Sequence, residues 1–352
     1  MTKKPIQIVV MGAGTAGQRH IAAILRSPCT ELAAIVDVNP ESLQQFSAID
    51  TVRSTSLHDT LAGLQPDGVV VATPTDDHAR SAVEVLDAGV AVLLEKPAAA
   101  TLEEADNIMA AAKRANRPVL VGHQRRYHRQ VEEAASMIDS GQLGRLVLVS
   151  GMWGVRKHIG YYQPEWRRSP AAGPIMINLT HDIDLLRYLC GDISELFAYS
   201  DHSVENLAKE DAVALSLRFH SGALGTFAAS DRVVSPWSWE FATGENVICP
   251  ESGQNCIHFF GTEASLEFPN LIMWKQGKPN ADWTGRISPD PCQFPYEEPF
   301  VRQIEHFADV VMGNAKPRVT LADAMQNVEA ALAVFESARS GRSIQLNQDS
   351  VV

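Results

Sequence analysis

The sequence predicts an α/β chain: a doubly wound parallel sheet at the N-terminus, followed by an α+β domain with an open, mainly antiparallel sheet. Three observations carry this. Up to about Gly122, short β-branched runs alternate with stretches of helical periodicity. Beyond it, strand patterns follow one another directly. A glycine-rich turn also joins the first strand to the first helix. The chain has 352 residues, 45% hydrophobic and 20% charged, which is enough for a full core and too much for one average domain. We expect a first domain over residues 1–122 and a second over 123–352.

In the first region, strands are expected at Ile6 to Met11, Leu32 to Val36, Gly68 to Ala72, Val90 to Leu94 and Pro118 to Val121. Apolar residues recur at helical spacing over Gln18 to Arg26, His78 to Ala88 and Leu102 to Asn116, giving successive βα units. Next come a helix at Val131 to Ser140, a strand at Leu146 to Trp153 and a helix at His181 to Leu189. Leu196 to Ser200, Ala212 to Phe219 and Leu224 to Ala229 read as consecutive strands, the last two joined by a tight hairpin at His220-Ser221-Gly222-Ala223. Helices return at Phe300 to Val311 and Leu321 to Ser337, after a stretch from Pro269 to Pro299 that reads as a surface loop.

The turn Gly12-Ala13-Gly14-Thr15-Ala16-Gly17 is G-x-G-x-x-G directly after a strand and directly before a helix. Gly12 permits the tight turn, Gly14 lets a pyrophosphate approach the backbone, and Gly17 allows close helix-strand packing. This is the fingerprint of a Rossmann dinucleotide site. Asp37, 20 residues beyond Gly17 at the end of the next strand, is placed to accept hydrogen bonds from ribose hydroxyls. A carboxylate there repels a 2'-phosphate, so NAD is favoured and NADP is kept as the alternative. The structural reading of Asp37 is a residue that only caps the turn before Asn39-Pro40.

Glu95-Lys96-Pro97 closes the strand ending at Leu94, on the ligand-binding edge of an open parallel sheet. A half-buried lysine there can bind a substrate hydroxyl and relay a proton; an isolated E-K-P is otherwise a solvated loop. Thr73-Pro74 with His78, then Trp166-Arg167, then His181 before Ile183-Asp184-Leu185-Leu186 complete an ordered set. From Ile6 to about Ser343 the chain resembles the glucose-fructose oxidoreductase, inositol dehydrogenase and MocA family. The resemblance implies an NAD(P) domain, an oligomer of two or four copies joined through the open sheet, and redox chemistry at a carbon bearing oxygen. It makes Lys96 the catalytic lysine and His181 the substrate-contacting acid or base. It also puts Thr73, Pro74, His78, Glu95 and Lys96 in the nucleotide cleft, with Trp166 and Arg167 near the nicotinamide, and implies a cis bond before Pro97.

One position departs from that pattern: Ile177 stands four residues before His181, where many relatives have an aspartate. Asn178 beside it can hydrogen-bond but cannot take a proton. His181 also reads as a packing residue, and Asp182 and Asp184 as helix-start carboxylates. From His123 to Arg168 the chain carries eight Lys or Arg against four acids, +4 within a chain of −12. Surface arginines explain this blandly; the sharper reading is that Arg125 and Arg167 grip a substrate carboxylate. Tyr162, Trp166 and Trp237 would suit a ring. The substrate is then a secondary alcohol or ketone, such as a sugar acid or carboxylated cyclic diol. The alternatives are a reductase of imines or conjugated double bonds, and an NAD-sensing regulator without turnover.

The net charge of −12 excludes a general nucleic-acid binder. The apolar run Ile6 to Met11 is too short for a signal peptide or membrane span, so a cytoplasmic protein with no membrane partner is expected. Five scattered cysteines suggest reduced thiols, and Cys249, Cys256 and His258 lack the paired spacing of a zinc site. No metal is expected.

Overall fold

The computed structural model describes residues 4–169, 172–204, 207–246, 248–277 and 282–346, without the side chain of Ile159. The chain divides into two compact units: one runs up to Tyr127 and adds Glu297–Gln326, the other is His128–Tyr296 with the chain from Asn327. The division falls at Tyr127/His128, not at 122/123, and residues 297–326 return to the first unit.

The first unit is a six-stranded parallel sheet: β1 (Ile6–Met11), β2 (Thr30–Val36), β3 (Val52–Ser54), β4 (Gly68–Val71), β5 (Ala91–Leu94) and β6 (Val119–Val121). Its order is β3-β2-β1-β4-β5-β6, with every pair parallel. The order reverses at β1/β4, the switch point where such sheets bind ligands beyond their strand ends. Helices α1 (Thr15–Arg26), α2 (Pro40–Gln44), α3 (Leu57–Leu64), α4 (Thr75–Asp87) and α5 (Leu102–Ala115) connect the strands. The sequence reading misses β3, α2 and α3, which are too short to show a period.

In the second unit α6 (Arg129–Asp139) precedes β7 (Leu146–Gly154), and α7 (Thr180–Cys190) precedes β8 (Ile193–Asp201), β9 (Ala212–Phe219) and β10 (Leu224–Ser230). A short α8 (Trp239–Thr243) leads to β11 (Ile257–Gly261), β12 (Ala264–Phe268), β13 (Ile272–Gln276) and β14 (Ile287–Pro291). After α9 (Pro299–Val311) and α10 (Leu321–Ser340), β15 (Ile344–Gln345) closes a sheet ordered β14-β13-β12-β11-β7-β10-β9-β8-β15. All pairs are antiparallel except β7 with β10.

Alternation sets the faces. On β9, Val213, Leu215, Leu217 and Phe219 are buried with Ile183 and Leu186 of α7, while Ala214, Ser216 and Arg218 face outward. The expected surface loop from Pro269 to Pro299 is corrected: it holds β13 and β14, residues 278–281 lying outside the described set. Its prolines misled the reading, since Pro289 and Pro291 lie on the outermost strand, where a missing N–H costs least.

Sequence order also misplaces α9. Glu298 caps it by accepting from Phe300 and Val301 N–H, and Phe300, Ile304, Phe307 and Ala308 join the core of the first unit with Ile21 and Ile24. A Cβ on Gly68 would meet the Phe307 ring at 2.7 Å, so that contact depends on glycine.

Candidate active site

The glycine-rich turn is built as its spacing requires. Gly12 has φ +98°, and a Cβ there would stand 2.3 Å from the Ala72 carbonyl oxygen. A Cβ on Gly17 would stand 1.8 Å from the Gly12 carbonyl oxygen, so α1 can approach β1 only through glycine. Gly14 differs: nothing lies within 4 Å of the Cβ it lacks. It begins α1 without a side-chain cap and without an acid in the first turn, beside Thr15 and Ala16. The helix therefore offers its first N–H groups and dipole to an anion.

A cavity of about 610 Å³ opens there, lined by Gly12, Gly14, Asp37, Thr73, Pro74 and Arg80 among others. Asp37 accepts from Ala13 N–H at 2.7 Å and Asn39 N–H at 2.9 Å, so it shapes both flanking turns while facing the cavity. The turn-capping role leaves acceptor capacity for ribose hydroxyls, because a carboxylate accepts about four hydrogen bonds. Thr73 Oγ1 is buried without a protein partner. Arg80 pairs with Asp77 at 2.8 Å. An uncapped helix start, the open space at Gly14, a carboxylate and an orphaned hydroxyl fit a dinucleotide bearing free ribose hydroxyls.

The lysine turn follows β5, and its Lys96-Pro97 bond is cis. Glu95 is buried: one oxygen meets His20 Nε2 at 2.7 Å, the other accepts the Lys96 N–H at 3.0 Å. Burial alone would raise the Glu95 pKa, but the His20 hydrogen bond and charge, with the nearby Lys96, hold it below the ordinary range. His20 is fully buried in α1 with its ring edge against Phe300. His78 is also buried, its Nδ1 2.8 Å from Pro97 O and its Nε2 2.9 Å from Thr73 O. Both partners only accept, and a neutral ring can donate to only one of them. Glu95 and His78 are therefore braces for the turn that carries half-buried Lys96, not walls of the cavity. The sequence reading misses His20; its place three residues after Gly17, on the inward face of α1, was the available signal.

In the second unit, half-buried His181 lies in the first turn of α7, directly after a π-helical turn over Ile175–Leu179. Such turns recur at functional sites. Glu210 anchors the turn by accepting from Ile175 N–H at 2.7 Å, over Gly173, whose missing Cβ would strike that carboxylate. Met176 and Ile177 stay half-exposed and Asn178 is buried. Asp184 accepts from Asn327, which also bonds Arg187, itself paired with Asp192; Asp184 lies past the first turn of α7, so it serves this network and not the helix start.

The cations of residues 123–168 divide between buried, half-buried and exposed positions. Arg125 and Arg126 are buried in a turn over Gln124–Tyr127, and Arg126 pairs with Asp323 at 2.7 Å. Arg129 pairs with Glu132 and Glu133 along α6. Arg167 lies 4.2 Å from the Tyr161 ring centre and 5.2 Å from that of exposed Trp166. Tyr162 is buried, its hydroxyl donating to Asp231 at 2.6 Å, and Trp237 is exposed. Among the described residues no group of three His, Cys, Asp or Glu is placed to hold a metal, and no helix is long and apolar enough to cross a membrane.

Residues 6–123 match the model of the oxidoreductase family with an NAD-binding Rossmann fold, and residues 131–267 match the GFO/IDH/MocA C-terminal domain. The chain belongs to the GFO/IDH/MocA family. It is an NAD-binding oxidoreductase of that family. It is 26% identical over 353 residues to scyllo-inositol 2-dehydrogenase (NAD(+)) of Bacillus subtilis, covering 97% of this chain and 96% of that one. It is 30% identical over 227 residues to 1-carboxy-3-chloro-3,4-dihydroxycyclo hexa-1,5-diene dehydrogenase of Comamonas testosteroni, covering 62% and 56%. An Agrobacterium radiobacter oxidoreductase, solved with NAD+, L-tartaric acid and magnesium, shares the fold with a TM-score of 0.81 at 19% identity, covering 97% and 98%.

Proposed function

We propose that the chain interconverts a secondary alcohol and its ketone on a small, carboxylated polar substrate, such as a sugar acid or carboxylated cyclic diol. NAD supplies the hydride-exchanging C4 of its nicotinamide. The carrying observation is the braced turn at Lys96. Glu95 with His20 holds the Lys96 N–H and His78 sits between the Pro97 and Thr73 carbonyls, so the turn that carries the half-buried lysine is held, and its ammonium is proposed to act on a substrate oxygen and its proton. His181 is proposed as the second unit's acid or base on the substrate. Ile177 in its turn removes a diol-gripping carboxylate, and the name of the Comamonas relative includes a carboxyl group, which supports an acid over a neutral polyol.

Because Arg125 is buried, Arg167, stacked between aromatic rings, is the better carboxylate partner of the two. We further propose a homo-oligomer in the cytoplasm. Leu148, Leu224, Ala228, Phe197, Tyr199 and Phe260 share the uncovered face of the nine-stranded sheet by register, which supports a second copy as its cover. The test is Lys96→Met, which should lower kcat by about 10²- to 10⁴-fold with NADH affinity nearly unchanged. Joint loss of both, or a fall in kcat below about tenfold, would reject the assignment. Matched neutral and carboxylated alcohols, repeated with Arg167→Ala, test the acid: equal turnover of both removes it.

A further inference from the structure

Three of the eight cations of residues 123–168, Arg156, Lys157 and Arg168, meet at one place in the second unit. Beyond their parallel pairing, β7 and β10 both run out at the same end of the sheet. The chain after them stays joined: Val155 N–H donates to Ser230 O, Lys157 N–H donates to Asp231 O, and Arg156 bridges Arg232. A cavity of about 480 Å³ opens at this end, within the size range of small-molecule sites. Arg156, Lys157, Arg168 and Arg232 line it with Tyr162, and among the described residues no acid lines it.

Beneath the cavity the charges cancel. Buried Lys209 meets Asp231 at 3.0 Å and Asp211 at 3.5 Å, and Arg232 meets the same two carboxylates at 3.3 and 3.4 Å. Arg232 also covers the Tyr162 ring at 3.9 Å, giving the floor a flat, fixed surface. Arg156 and Arg168 stand above this balanced base as surplus positive charge, while Lys157 also feels the Glu240 and Asp231 carboxylates. Arg168 is oriented by donating from Nε to Tyr162 O at 2.7 Å and from Nη2 to Gln163 O. Lys157 sits against the Tyr161 and Trp153 rings, where burial, its main cause, lowers its pKa. Fixed cations around an open volume in a chain of net charge −12 form a receptor for negative charge.

We propose that this cavity binds a small molecule through its oxyanion group, a carboxylate or a phosphate. The assignment does not rest on the alcohol reading. The test is calorimetry on the full chain saturated with NAD, so that the nucleotide site is filled, titrated with sodium malonate and with sodium phosphate at constant ionic strength. One saturable site per chain at about millimolar affinity is expected. The anion that binds more tightly identifies the group. Arg156→Ala and Arg168→Ala each weaken it by about tenfold, while Arg145→Ala, an exposed arginine outside the cavity, leaves it unchanged. Should Arg168→Ala fail to fold, Arg156→Ala decides alone, its side chain being exposed. The proposal is overturned by an absence of saturable binding, by affinity that survives Arg156→Ala, or by an equal loss in Arg145→Ala.

Discussion

Replacing Gly14 by alanine separates the room a cofactor needs from the room the fold needs. Gly14 has φ −73° and ψ −168°, an extended conformation open to alanine, and its Cβ would meet nothing within 4 Å. The substitution should therefore change the stability of the protein without cofactor little: the smaller entropy of the unfolded chain gains about 0.4–1 kcal/mol, and alanine in place of glycine at the N-cap of α1 costs about as much. The same methyl projects where a pyrophosphate must approach the turn, so NAD affinity should fall by tenfold or more, about 1.4 kcal/mol per tenfold. Gly17→Ala must instead displace backbone, with a Cβ 1.8 Å from the Gly12 carbonyl oxygen, and should cost about 1–3 kcal/mol of stability together with binding. Thermal unfolding without cofactor and NAD titration followed by calorimetry give the two quantities. Unchanged NAD affinity in Gly14→Ala would refute the placement of the phosphates.

Asp37→Ser should improve kcat/KM with NADP relative to NAD, but also cost stability, because the carboxylate holds Ala13 and Asn39 N–H; a wild type that already prefers NADP defeats the ribose reading. Glu95→Gln removes a charge-assisted bond to His20 and should cost about 1.5–3 kcal/mol at neutral pH. Since the folded Glu95 pKa is depressed, its contribution is full above the unfolded value near 4.5 and is lost as pH falls through the folded one, so the gap between variant and wild type should close in acid. A gap independent of pH would argue against an ionised Glu95. Glu210 has the opposite sign: burial raises its pKa, so it costs stability increasingly as pH climbs past the unfolded value. Glu210→Gln keeps an acceptor for Ile175 N–H, and its melting temperature should gain on the wild type from pH 4 to pH 8, whereas a flat difference would contradict the assigned shift.

Much of the candidate nucleotide site was legible because its parts are local. Gly12 to Gly17 and Asp37 lie on consecutive elements of one βαβ unit, where strand and helix periods alone fix which end of the sheet they share. The strands of β9 and β10 and the hairpin between them were legible for the same reason. Short or edge elements were not: β3 has three residues, and β14 is exposed throughout, so neither shows the burial contrast that a pattern reads.

Contacts between distant segments were decided by the tertiary structure alone. His20 and Glu95 are 75 residues apart, and their bond depends on α1 settling over the end of β5. Arg125 and Arg156 look alike in the chain, yet one is buried in a turn and the other lines a cavity. The return of α9 to the first unit follows from Phe300, Ile304 and Phe307 finding its core, a choice no local period encodes. By itself the sequence determined the βα alternation, the glycine-rich turn and the elements next to which Lys96 and His181 sit, because these depend on neighbours within a few residues. Which charges are braces, which are neutralised and which face open volume was settled only by packing, since the cost of burying a charge depends on partners brought together from elsewhere in the chain.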